Sequence, residues 1–532
     1  MRKVLITVIL ALAILALPIL PAVAQGGQAE VAEVFIQTEE VRELTAGQDV
    51  KVDYLSKNEL RDKLAQDFEE KNPEEELRDT QDMMVMLGFI DENLDLRRLL
   101  LDLYTEQVAG FYDPEDDSLY LISDEKDKMS AMDRYTLSHE LTHYLQDQNF
   151  DIMRPPFNDP EGTPVAGKTD DDASFAASCL VEGDASLTSD TWGMEHLNAA
   201  DVREMQSESG EYSTDVFDSA PEYIQDSLLF PYQEGMSFVS YIHRKGGYDA
   251  IDRAYKDPPK STEQIYHPEK YMENEPVVEV ELPDLTGSLG DGWELAYDNV
   301  LGEFDVYELF KPYFSAKTAK LAAEGWGGNR YQYYRSDEGD KLLVQGYAWD
   351  SEGDAQEFSS AYVKYVEDRF EGKVDGQSSR GAWKVWSTGG YVLALKKDGL
   401  NTYLVQATNG DYSDTAVAAL GEKGDQIEES AIGEEAKKKP GEETNLSWLV
   451  IAGVIVLLVA GLVLVIVMLI LFRRPPAPPS LPPGGPYIYP GGGPGPYYGG
   501  PGRTGGTGPG GVPWMGGQVP PPAQPPPREI SE

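Results

Sequence analysis

Cysteine is all but missing from this 532-residue chain. Cys179 is the single one, so no internal disulfide can form, and cores or bound metal must hold the fold together. Its neighbours Phe175, Ala176, Ala177, Leu180 and Val181 mark it as a small buried hydrophobe and not as a nucleophile. Positive charge is scarce as well: 44 basic residues face 92 acidic ones, a net charge of −48. A field of that sign repels nucleic acid and anionic membrane surface, so no nucleic-acid partner is expected. Two readings of the acidity stand side by side, a solvated surface suited to a salty medium and a field that steers cations or basic substrates. No repeat of fixed period is present, and histidine occurs only five times. Hydrophobic residues make up 41%, enough for buried cores, and the length exceeds that of one ordinary domain.

Long hydrophobic runs occur twice. Residues 1–24 read as a signal peptide: Arg2 and Lys3, then an apolar stretch from Val4 to Leu20, then Ala22-Val23-Ala24 as a cleavage site before Gln25. An uncleaved anchor is the alternative. Residues 448–472 carry no charge and are long enough to cross a bilayer, and Arg473-Arg474 follow as a positive-inside stop. This topology places residues 25–447 outside a cell membrane and the rest in the cytoplasm. The stretch 473–532 is built of Pro and Gly with interspersed Tyr. It cannot bury a core and is expected to be a disordered tail, either without a dedicated partner or docking into an aromatic groove of one.

Between these runs the pattern is α+β. Residues 25–284 read as a mainly helical catalytic domain with a β-hairpin or small sheet. Helices are predicted at about 58–70, 74–87, 94–106, 131–148 and 172–192, with the strand-like runs Val108–Tyr112 and Ser118–Ile122 flanking a Pro/Asp turn. Short helices broken at Pro and Gly are predicted over 200–283. Residues 285–420 read as a smaller α+β accessory domain, and 421–447 as a charged linker.

The chemistry concentrates in His139-Glu140-Leu141-Thr142-His143. Two histidines four apart on a helix lie on one face, one turn apart, and can share one Zn²⁺. Glu140 then points beside the metal's open position and can move a proton between water and a leaving amine. A third protein ligand is needed, and His196, His243, His267 and many carboxylates lie downstream. Glu182 is the best of them: it is flanked by Leu180 and Val181, where an acid is costly to bury without a cation. Asp147 and Asp184 are candidate acceptors for the ligand imidazoles.

The segment His139–His143 with Asp147 resembles the metal helix of thermolysin and other gluzincins. The resemblance implies a zincin-type fold, His139, His143 and Glu182 as zinc ligands, Glu140 as general base, and a peptide or protein as substrate. The acid that such enzymes carry four residues beyond their ligand glutamate is Ser186 here. The strand Leu119, Tyr120, Leu121, Ile122 would be the edge that holds an extended peptide. The oxyanion donor would come from His267, Tyr266 or Tyr271, with His243 as a rival. The resulting expectation is a membrane-anchored zinc peptidase. The alternatives are a surface protein that keeps zinc for stability and a zinc hydrolase of a non-peptide amide.

Overall fold

The computed structural model describes residues 27–427, apart from 49, 72, 107–109, 114–117, 123–128, 158–169 and 209–214. Helices fill most of the first part. A helix at Gly27–Arg42 opens it, where the sequence pattern gave no helix, and the predicted helices follow at Lys57–Lys71, Glu74–Leu87 and Leu96–Glu106. The expected hairpin, β2 (Gly110–Asp113) and β3 (Ser118–Ile122), acquires a third strand. β1 (Lys51–Leu55) pairs in parallel with β3, giving the order β1-β3-β2. This corrects the substrate-edge reading of Leu119–Ile122: β3 is the central strand, its backbone engaged on both sides, and β2 is the outer one.

Two long helices then cross. The histidine helix, Ala131–Phe150, starts in a capping box in which Ser130 Oγ accepts from the Asp133 N–H and Asp133 accepts from the Ser130 N–H. The glutamate helix, Asp171–His196, is capped by Asp170 accepting from the Ala173 N–H. A third helix, Glu222–Gly246, runs for 25 residues straight through Pro231. Proline inside a helix removes one hydrogen bond and predicts a break. Packing of Ile224, Leu228, Phe230, Phe238 and Val239 into the core outweighs that loss here.

Glycine decides how closely the glutamate helix and the Pro231 helix approach. A Cβ on Gly183 would stand 2.3 Å from the Gly235 carbonyl oxygen, and one on Gly235 would stand 2.4 Å from the Cys179 carbonyl oxygen. Backbone thus meets backbone next to Glu182.

The later part forms a seven-stranded antiparallel sheet in the order β4 (Trp293–Asn299), β5 (Trp326–Ser336), β6 (Lys341–Trp349), β10 (Asn401–Ala407), β9 (Val392–Asp398), β8 (Trp383–Thr388) and β7 (Val374–Arg380). Alternation along the strands gives it two apolar faces. Leu343, Leu393, Leu395 and Leu404 face the helix Glu352–Arg369 and join the core of the first part, while Leu342, Val344, Ala394 and Val405 are covered by Ala416 and Val417 of Gly410–Leu420. The joint is also polar. Arg369 donates to the carbonyls of Val85 and Met86, and Tyr365 to that of Leu87, satisfying the end of the helix Glu74–Leu87.

The expected fold class needs correction at the membrane. Among the described residues no helix is long and apolar enough to cross one. The signal peptide at 1–24, the span at 448–472, the tail at 473–532 and all but the first residues of the linker lie outside the described residues.

Gly183→Ala tests the helix crossing. The obstructing atom is backbone and cannot rotate away, so we expect a loss of about 1–3 kcal/mol in urea unfolding. An unchanged midpoint would mean that the two helices do not meet in this way.

Candidate metal centre

The histidine helix is anchored on one face by Leu137, Leu141 and Tyr144, which pack with Val31, Val34 and Val41 of the first helix. The opposite face presents His139 and His143 to Glu182. His139 Nε2 lies 3.2 Å from Glu182 Oε2 and 3.1 Å from His143 Nε2, and His143 Nε2 lies 3.5 Å from the same carboxylate oxygen. All three side chains are buried and form a group that could hold a metal ion. Tetrahedral bonds of 2.0–2.1 Å separate neighbouring ligand atoms by about 3.3 Å. The three observed separations bracket that value, so one ion of zinc's size fits with little movement.

Glu140 is buried beside this group and accepts a hydrogen bond from the Tyr112 backbone N–H at 3.1 Å. The Tyr112 hydroxyl donates to Asp147 at 2.8 Å, so β2 is clipped to the histidine helix at two points. Asp147, expected to support a ligand imidazole, therefore serves to place the strand that holds Glu140. The acceptor for His143 is Gln146, whose Oε1 lies 2.9 Å from Nδ1. Asp184 reaches the site one step further back, accepting from Gln146 Nε2 at 3.1 Å and from the Tyr255 hydroxyl at 2.9 Å.

His267 is engaged elsewhere. Its Nε2 lies 3.1 Å from buried Glu303, and neither belongs to the ligand group. The Tyr271 hydroxyl donates to the Asp257 carbonyl, Tyr266 packs on Phe230, and His243 packs on Tyr248. Tyr232, which the sequence pattern did not single out, is at the site: its ring is stacked 6.1 Å from that of His139. Its hydroxyl is buried and interacts with the Glu182 carboxylate, though not in aligned hydrogen-bond geometry. Burial, then the charges of Glu182 and Glu140, push it well above the usual tyrosine range, so it stays a donor.

The electrostatics follow from burial and from the pairing of these groups. Burial alone would raise Glu182, but His143 and His139 bring it down to about 2. Burial alone would lower His143, but Glu182 outweighs it and holds the imidazole up at about 9. Burial dominates at His139, which is lowered. Glu140 is raised by burial to about 7, against the pull of His143 and the Tyr112 N–H. Near neutrality one proton thus stays on the His143–Glu182 pair, and Glu140 beside it is partly protonated.

Comparison with known proteins adds little on the site itself. A family described as a domain of unknown function, DUF8575, matches residues 294–416, within the sheet-bearing part. No curated protein matches the chain. A solved structure from Chloroflexus aurantiacus, titled as "a putative hydrolase with a novel fold", is similar over 50% of this chain and 96% of its own, at 15% identity and a TM-score of 0.33.

Metal ligands must be deprotonated. Below about pH 9 an incoming ion must displace the His143 proton, so affinity should rise with pH up to that point. Calorimetric zinc titrations at pH 7.5 in buffers of different ionisation enthalpy should show release of about one proton per ion. Release of none would contradict the charge state assigned to the pair.

Proposed function

We propose that the chain is a zinc-dependent hydrolase acting on peptide bonds. The reading rests on one observation: two imidazoles and a carboxylate converge at metal-ligand separations, with a second carboxylate, Glu140, buried beside them. A structural zinc site closes its coordination with four protein ligands, whereas a catalytic one keeps three and an open position. Three ligand residues are grouped here among the described residues, and Glu140 would have no use in a purely structural site.

Zinc held by His139, His143 and Glu182 would supply a Lewis acid that polarises a carbonyl and makes water acidic near neutral pH. Glu140, raised to about 7, is matched to accept a proton from the attacking water and pass it to the departing amine. The Tyr112 N–H fixes which Glu140 oxygen is occupied and so aims the other. Tyr232, whose buried hydroxyl lies beside the ligand carboxylate of Glu182, is the donor for negative charge developing on the carbonyl oxygen. β2, the outer strand of its sheet and adjacent to Glu140, is where an extended substrate would pair; this favours a peptide over a compact amide.

The test is hydrolysis of quenched fluorescent peptides by the zinc-loaded protein. Glu140→Gln should lower kcat by about 10²–10⁴-fold while zinc stays bound. Tyr232→Phe should lower it by about 10²-fold with little change in KM. Full activity in Glu140→Gln would end the proposed mechanism.

A further inference from the structure

We infer that Arg42, at the end of the first described helix, is a positioning residue for the metal ligand His143. The inference rests on the metal-centre reading above. Arg42 is fully buried, and its Nε lies 2.7 Å from Asp184 Oδ1, which is buried as well. The contact is a close ion pair and not an aligned hydrogen bond, because the carboxylate oxygen lies off the N–H axis. A second guanidinium nitrogen reaches Asp252 at 2.7 Å, and the group lies over the Tyr248 ring at 4.8 Å.

From Asp184 the connection runs inward. Gln146 Nε2 donates both its hydrogens, one to Asp184 Oδ2 at 3.1 Å and one to the Val181 carbonyl at 3.0 Å. Turning the amide over would set its oxygen against two other acceptors, so the amide has one acceptable orientation. Its oxygen then faces His143 Nδ1 at 2.9 Å. A carbonyl oxygen can only accept, so Nδ1 keeps its hydrogen and Nε2 is the nitrogen that would give up its proton and offer a lone pair to a metal shared with His139 and Glu182.

Arg42 supports this arrangement by holding Asp184 in place. The guanidinium contacts one oxygen of the buried carboxylate and leaves the other to accept from Gln146. Remove Arg42, and the Asp184 carboxylate loses the group it packs against and shifts or draws in water. Gln146 then loses its fixed orientation and His143 its assigned nitrogen. The first helix is on this account a working part of the metal centre and not a segment that could be cut away.

The experiment measures zinc affinity of the full chain by competition with a chromophoric chelator, with circular dichroism of the metal-free proteins as the folding control. Arg42→Met should weaken zinc binding 10–100-fold, and Arg42→Lys, which keeps the charge, should recover most of it. Gln146→Leu should weaken binding to a similar degree, and adding Arg42→Met to it should cost nothing further, because both act through one amide. A general structural role would instead give additive losses and no recovery by Lys. If Arg42→Met does not fold, Arg42→Gln takes its place with the same expectation. Affinity within two-fold of wild type in a folded Arg42 variant, or additive losses, overturns the proposal alone. A wild-type protein that takes up no zinc overturns the metal-centre reading and this proposal with it.

Discussion

Glu182 is an ionised carboxylate in the middle of a buried helix, and much of the surrounding structure serves to make that tolerable. An isolated charge in such a place costs several kcal/mol or more. Two imidazoles face it within 3.5 Å, and a metal would complete the compensation. The helix that carries it must then be held at a fixed distance from the histidine helix. The Gly183–Gly235 crossing does this from behind, and the same crossing brings Tyr232, three residues from Gly235, to the ligand group.

The scarcity of basic residues gives their positions weight. Several stand at buried or half-buried joints between elements. Lys311 holds Asp226 and Glu222 against Glu308, Arg330 holds Asp298, and Lys270 gathers Glu263, Glu275 and Asp350. Arg369 ties the sheet to the helix Glu74–Leu87 through that helix's free carbonyls. The contacts of Lys270, Lys311 and Arg369 join parts of the chain that the sequence pattern suggested treating separately, and one apolar cluster takes in residues from Leu64 to Leu404.

The parts of the site that obey local rules were legible in the sequence. A helical period places His139 and His143 on one face, and the cost of burying an acid singles out Glu182. Most helices of the first part, and the α+β character of 285–420, were legible for the same reason. What escaped depends on pairing across the chain. Nothing near Val50 to Tyr54 says that this strand will lie parallel to β3 and make it central. Pro231 hides a 25-residue helix and with it Tyr232. Gln146 lies three residues after His143 on the same face, a spacing visible in the sequence, whereas Asp147, one residue on, points to the Tyr112 hydroxyl. Arg42 gave no local signal at all.

That last residue has a consequence for how the protein is made. Arg42 and Asp252 are 210 residues apart, and a chain synthesised from its N-terminus exposes the arginine long before either of its carboxylate partners exists. The histidines also emerge before Glu182, Asp184 and Tyr255. A nascent chain carrying only the histidine helix offers an ion two imidazoles with neither a carboxylate nor a fixed ring orientation. On the proposed reading, firm metal capture would therefore be a late event in biosynthesis, timed by completion of the chain through Tyr255 and not by the appearance of the motif that announces it.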